Sequence, residues 1–227
     1  MIKIILNKIY GLLVDLSKIF SRKDLDYYIK NNIENLNDIK RVLIVGAGGR
    51  INDLVYRISV EKSFELFSLD IEKQYNPDII ADITDYDFNN DKYDVIIISE
   101  VLQFIPDPQK AINNIYRGLN KNGIMILTVP FIYPIHDRPY DYYRFTKYAL
   151  HHLLSKFSEV EVIEKNSWSE AINVLHARHI MNQNISSKFI SIIYLLFGYI
   201  FYPINYLLGK LIKTDYITSG YNVRAKK

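Results

Sequence analysis

The run Arg41-Val42-Leu43-Ile44-Val45 leads straight into Gly46-Ala47-Gly48-Gly49, and no other feature limits the possible folds of this chain as much. An apolar run of this length that ends in glycines reads as a buried strand entering a turn whose backbone no side chain shields. A second apolar run closes on Asp70. That is roughly 20 residues past the glycines, the spacing at which a carboxylate meets the ribose of a nucleoside held on such a turn. Gly-Ala-Gly alone says little, since many strand-to-helix turns use glycine for geometry only. Joined to Asp70, it points to a nucleoside-binding α/β fold.

Composition narrows the field. The 227 residues suit one well-buried α/β domain with appendages. A net charge of +3, spread along the chain apart from the basic tail at Arg224, Lys226 and Lys227, gives no sign of a nucleic-acid partner. The absence of cysteine removes disulfides, thiolate nucleophiles and Cys-ligated zinc, and agrees with a reducing cytosol.

Helix and strand signals alternate from position 22 onward. A helix is expected over 24–37, and strands over 41–45, 65–69, 78–81 and 93–98. Pro106 and Pro108 open a helix that runs to about Leu119, and Asn122-Gly123 turns into a strand at 124–129. A helix at 146–156 and a strand at 160–164 follow. Strands bounded by helices, several apolar on both faces, argue for a doubly wound sheet covered on each side.

Four segments in this order resemble the class I S-adenosylmethionine-dependent methyltransferases, and among them the branch found with bacterial surface polysaccharide genes. They are the glycine loop at 42–49; Asp70-Ile71-Glu72 with Asn76-Pro77-Asp78-Ile79-Ile80-Ala81-Asp82; Tyr93-Asp94-Val95-Ile96-Ile97-Ile98-Ser99-Glu100-Val101-Leu102 through Pro108, Arg117-Gly118-Leu119, Gly123 and Pro130; and His136-Asp137-Arg138-Pro139-Tyr140-Asp141-Tyr142-Tyr143-Arg144-Phe145-Thr146. The resemblance implies a seven-stranded Rossmann-like sheet, mostly parallel with an antiparallel last strand, plus a hydrophobic helical insertion. It implies S-adenosylmethionine as cofactor, with Gly46, Ala47 and Gly48 at its methionine part. Asp70 would lie at the ribose, with Ile71 beside it as a further cofactor-binding residue, Asp82 and Ile83 at the adenine, and Ser99 and Glu100 beside the methylsulfonium. His136 is then the candidate base for the acceptor's proton, with Tyr143 and Arg144 orienting the acceptor; the alternative is that Asp141 and Arg144 form a structural pair under a tyrosine lid.

This chain departs from the family pattern at three places. Ile44 stands where an acidic residue is usual, Arg50 where a third glycine is usual, and Gln103-Phe104 where a Glu-His pair is common. A nicotinamide-dependent dehydrogenase would need glycine at position 51, which is isoleucine. No Gly-Lys-Ser/Thr follows the glycines, which excludes a Walker-type phosphate loop. No metal site is expected: His151 and His152 are adjacent and diverge, and His176 and His179 share a helical face without a carboxylate pair nearby.

Two apolar stretches remain. Residues 1–20 carry isoleucines and leucines at helical spacing, with Lys8 and Asp15 interrupting the run. They read as a packed helix or an interfacial membrane helix rather than a cleaved signal. Residues 189–209 carry no charge and are flanked by Lys188, Lys210 and Lys213. Pro203 is expected to break this stretch into a hairpin of two helical pieces that lies on the inner leaflet; a buried cap or a homodimer contact is the alternative. The expected organisation is N-terminal amphipathic and linker helices (1–37), a methyltransferase core (38–180), the hydrophobic insertion (181–213) and the last core strand (214–227). The expected function is methyl transfer to an oxygen or nitrogen of a glycan or lipid-linked sugar by a cytoplasmic protein peripheral to the inner membrane face. A small-molecule or lipid acceptor, or a scaffold that has lost catalysis, stays open.

Overall fold

The computed structural model describes residues 2–89, 91–178 and 188–227. Its elements follow as α1 (Ile2–Glu34), β1 (Arg41–Val45), α2 (Arg50–Lys62), β2 (Glu65–Asp70), β3 (Ile79–Ile80), β4 (Tyr93–Ser99), α3 (Pro108–Gly118), β5 (Leu119–Pro130), α4 (Lys147–Leu153), β6 (Glu159–Glu164), α5 (Trp168–Arg178), α6 (Lys188–Leu211) and β7 (Gly220–Lys226). The chain divides into two compact units. One contains Met1–Asp24, Phe131–Arg138 and Glu164–Gly220; the other contains Leu25–Pro130, Pro139–Ile163 and Tyr221–Lys227.

The strands form one sheet in the order β3-β2-β1-β4-β5-β7-β6. β1 lies between β2 and β4 and runs parallel to both, so the chain order reverses on either side of it. β7 is antiparallel: Lys227 N donates to Gly123 O, Phe131 N to Ser219 O and Ser158 N to Lys226 O. This is the doubly wound, mostly parallel sheet expected from the sequence. Between Tyr93↔Leu119 and Val95↔Ile124 the register slips, and Asn122 turns out of the ladder with φ 63. The expected turn is thus a bulge inside β5.

Val42, Ile44, Val95, Ile97, Ile124 and Ile126 build the core on one side of the sheet, together with Ile29 and Ile33 of α1 and Val55 and Ile58 of α2. Ile44 is only 2% exposed within this cluster. An apolar core residue therefore stands where the resemblance leads one to expect an acidic one.

Two expectations about helices need correction. α1 is continuous from Ile2 to Glu34 rather than two helices. α6 runs unbroken through Pro203. A proline costs a helix one hydrogen bond and crowds the carbonyl four residues back, yet a long helix packed along its length absorbs that. A helical hairpin does exist, but α5 and α6 form it. Trp168 Nε1 donates to Ile212 O (2.8 Å), Asn205 Nδ2 to Asn173 Oδ1 (2.8 Å), and His176 stacks on Tyr194 at 4.1 Å, so early residues of α5 meet late residues of α6. His179 lies outside the described residues.

Asp94, from the Tyr-Asp pair that opens β4, ties three segments together. Its carboxylate accepts from Lys40 N (2.9 Å), Arg41 N (3.0 Å) and Asn120 Nδ2 (2.7 Å). Burial alone would raise its pKa, but these hydrogen bonds outweigh burial and hold it below the ordinary carboxylate value. Its contribution is therefore complete above the unfolded-state value and is lost as pH falls through the lowered folded one. Asp94→Ala is expected to cost about 1–3 kcal/mol at neutral pH in urea titrations, with the gap from wild type closing in acid.

Candidate active site at the carboxyl edge of the sheet

Parallel pairing sets the site's geometry. Val45 aligns with Leu69 and with Ile98, and Ile98 aligns with Leu127. One residue further along, Gly46, Asp70, Ser99 and Thr128 stand side by side across four strands. In an open α/β sheet this carboxyl edge, where the strand order reverses, is where ligands bind.

Asp70 organises the loops above it. Oδ2 accepts from Ala47 N at 2.7 Å and Oδ1 from Glu72 N at 2.8 Å, while Gly46 N donates to Leu69 O at 2.8 Å. An ionised carboxylate has about four lone-pair directions, so two stay available to hydroxyl donors. Gly46 has φ +96, and a Cβ there would strike Val101. Gly48 is closed to a side chain for another reason, because the Tyr75 ring lies 3.0 Å from where its Cβ would be. A Cβ on Gly49 would meet nothing within 4 Å. Ile71, beside Asp70, is 64% exposed. A bare backbone turn, a carboxylate with unused acceptors and an exposed apolar side chain next to it fit the ribose and base of a nucleoside cofactor.

The wall beyond Asp70 is a turn at 82–86. Asp82 Oδ1 accepts from Thr84 N (2.8 Å), and buried Ile83 offers its carbonyl to Asn114 Nδ2 (2.8 Å). Asn114 also donates to Tyr86 O (2.7 Å), which fastens the turn to α3. Arg50, at the usual third-glycine position, reaches Asp26 of α1 at 2.5 Å and so anchors the start of α2.

Glu100 stands in the left-handed region, with φ 57. A non-glycine residue in the left-handed region costs roughly 1–2 kcal/mol and persists only where its surroundings fix it. Here Glu100 N donates to Thr128 O (2.9 Å), Glu100 O accepts from Gln103 Nε2 (2.7 Å), and Oε1 accepts from Thr128 Oγ1 (3.0 Å). Thr128 gives its only hydroxyl proton to that carboxylate, so Ser99 Oγ, 2.9 Å away, donates to Thr128. Gln103 is fully buried, and its Oε1 has no hydrogen-bond partner among the described residues. Its carbonyl accepts from Tyr142 N (3.0 Å) and Tyr143 N (3.3 Å), which brings the tyrosine-rich loop to the end of β4.

Within that loop, the Asp141 side chain is 1% exposed and Arg144 grips it with both terminal nitrogens, one at 2.7 Å. Tyr143 donates its hydroxyl to Pro106 O (2.7 Å) and stacks on Phe145. His136 belongs to the other unit, where Nδ1 lies 3.3 Å from Pro134 O and the ring meets Tyr133 edge-on at 5.2 Å. The second unit thus gathers Gly46, Ala47, Gly48, Asp70, Ile71, Asp82, Ile83, Ser99, Glu100, Tyr143 and Arg144. Sequence reasoning missed Thr128 and Tyr75, and noted Gln103 only as a departure from the family pattern. Only strand register reveals Thr128, by placing it level with Ser99.

A methyltransferase domain family model matches residues 20–179. No curated protein matches the chain. Among solved structures, similarity extends to a Haemonchus contortus phosphoethanolamine N-methyltransferase complexed with phosphomonomethylethanolamine and S-adenosylhomocysteine (15% identity, TM-score 0.55), covering 89% of this chain and 52% of that one. The chain spans about half the length of that relative. It is also similar to the N-methyltransferase NodS from Bradyrhizobium japonicum (11% identity, 92% and 96% coverage, TM-score 0.53). A third similar structure is the plantazolicin methyltransferase BpumL bound to a desmethyl analogue and S-adenosylhomocysteine (14% identity, 97% and 90% coverage, TM-score 0.55).

Asp70→Ala removes acceptors from two loop amides and from any ribose. Calorimetry with S-adenosylhomocysteine should show affinity reduced about tenfold or more, and thermal unfolding a loss of about 1–3 kcal/mol. Asp70→Asn, which keeps one acceptor oxygen, should fall between the variant and wild type.

Proposed function

Since the chain belongs to the methyltransferase domain family, on the sheet of the class I S-adenosylmethionine-dependent enzymes, we propose that it methylates an oxygen or nitrogen of a glycan or lipid-linked sugar at the cytoplasmic face of a membrane. The observation that carries the methyl-transfer part is the row Gly46, Asp70, Ser99 and Thr128 at the carboxyl edge, with the strained Glu100 fixed beside it. The apolar α6 supports the membrane face, and the sugar acceptor rests on resemblance to the surface-polysaccharide branch.

When bound, S-adenosylmethionine supplies an electrophilic methyl group on a positive sulfur. In this reading Asp70 accepts from the ribose hydroxyls, Ile71 and Ile83 flank the adenine, and the Asp82 carboxylate accepts from its amino group. The Glu100 side chain, its direction set by Thr128, would lie beside the sulfonium. The chain must hold the acceptor in line, which favours the reaction by proximity alone. The carbon–sulfur bond breaks as the carbon–oxygen or carbon–nitrogen bond forms, and a base takes the acceptor's proton. His136, shortly after the end of β5 in sequence, is the proposed base. The Arg144–Asp141 pair and the Tyr143 hydroxyl bond favour a supporting role for both residues in holding the acceptor loop.

The phosphoethanolamine and NodS relatives are N-methyltransferases by name, which makes a small amine the second acceptor class to try. S-adenosylhomocysteine formation should be followed with native glycolipid extracts and with small amines. His136→Ala is expected to lower turnover roughly 100-fold or more while cofactor affinity stays within about twofold. Unchanged turnover would reduce His136 to a loop element. Cofactor binding without turnover on any acceptor class would favour the scaffold reading.

A further inference from the structure

The outward stripe of α6 carries an inference of its own. Ile193, Leu196, Ile200, Ile204, Leu207 and Leu211 recur every three or four residues, and each is between 45% and 79% exposed. The opposite stripe is used within the same unit. Ile192 and Leu195 pack with Leu13 of α1, the Tyr199 hydroxyl donates to Leu13 O (2.8 Å), and Tyr194 and Asn205 meet α5. A Cβ on Gly198 or Gly209 would collide with His176 or Ser169, so glycine lets α6 lie close against α5. The helix is therefore seated on one side and leaves a wholly apolar row on the other, far more than the scattered apolar residues of an ordinary surface.

Charge says what covers that row. Residues 188–216 contain Lys188, Lys210 and Lys213 against Asp215 alone, and residues 1–18 contain Lys3, Lys8 and Lys18 against Asp15 alone, so both stretches are net basic. α1 adds exposed Ile4 and Leu12 in the same unit. A second copy docked on this row would bring together two sets of lysines that outnumber the carboxylates beside them. An anionic bilayer offers hydrocarbon for the stripe and phosphates for the lysines, the combination an interfacial helix uses. Lys210 sits 4.5 Å over the Tyr206 ring, an aromatic–cation pair suited to the headgroup layer.

Length alone would permit a crossing, since Phe189–Leu211 has a mean hydropathy of 1.6 and is only 17% buried. The fold argues otherwise. Both ends of α6 are tied to α5 through Tyr194 and Ile212, and β7 follows it into the sheet. We propose that the outer face of α6, aided by α1, docks flat on an anionic membrane without crossing it. This deepens the membrane-face part of the function proposed above and rests on it only for which face is met.

Co-sedimentation of the full chain with phosphatidylcholine vesicles, with and without phosphatidylglycerol, tests the proposal. Wild type should bind the anionic vesicles at least tenfold better than the neutral ones. Replacing Ile193, Ile200 and Leu207 together with Ser should abolish binding while circular dichroism and affinity for S-adenosylhomocysteine stay unchanged. Replacing Lys210 and Lys213 with Ala should remove only the preference for anionic lipid. Added protease should still cut a tag after Lys227 on the outside of sealed vesicles. No vesicle binding by wild type, or a lipid-free dimer that the triple variant dissolves, would overturn the proposal, as would a protected tag. Because cofactor affinity is read separately, failure here leaves the methyltransferase reading standing, and its loss would leave this surface untouched.

Discussion

One carboxylate holds the candidate site in shape. Asp70 ends β2, and its two oxygens take the amide of Ala47 on the glycine turn and the amide of Glu72 on the next loop. The turn after β1 therefore owes its position to a side chain on the neighbouring strand. That tie works only because Val45 and Leu69 are in register, and their register comes from burying β1 between β2 and β4. The apolar core thus reaches the site through backbone alignment, and the carboxylate converts alignment into a fixed loop. A ribose bound there would share an acceptor that is already oriented, so little ordering would be needed on binding.

A second constraint lies at the end of β4. Glu100 adopts a backbone conformation that an L-residue avoids, and Thr128 holds it from both backbone and side chain. Strain of this kind is stored where the surrounding structure over-determines it, commonly at sites of chemistry. Gln103 extends the arrangement by taking Glu100 O on one side and the amides of Tyr142 and Tyr143 on the other. The distinctive tyrosine-rich segment is thereby placed at the end of β4 by backbone bonds, which no motif could announce.

Elements governed by local pattern were legible in the sequence. β1 and β4 fall where apolar runs and glycines put them, β7 falls within the last segment that the resemblance implied, and Pro108 marks the start of α3, which Asp107 caps. Where tertiary contact overrides local preference, the sequence misled. Pro203 signalled a break, but α5 and α1 support α6 along its length and the helix continues. The residues around 20–24 looked like a break between two helices, although α1 passes through them while the two compact units divide at Asp24 and Leu25. Ile44 stood out as a departure from the family pattern, and in the structure it is a buried core residue. Thr128 was invisible because its importance comes from strand register, and Gln103 stood out only as a departure from the family pattern, since a buried amide leaves no spacing signature.

The central claim is that Asp70 serves the loop and the cofactor together, and a crystal structure with S-adenosylhomocysteine tests it most directly. The account predicts both ribose hydroxyls within hydrogen-bond distance of the Asp70 carboxylate, while Ala47 N and Glu72 N still donate to it and the adenine lies between Ile71 and Ile83. A cofactor bound away from Asp70, or a carboxylate that must let go of Ala47 to receive the ribose, would contradict it.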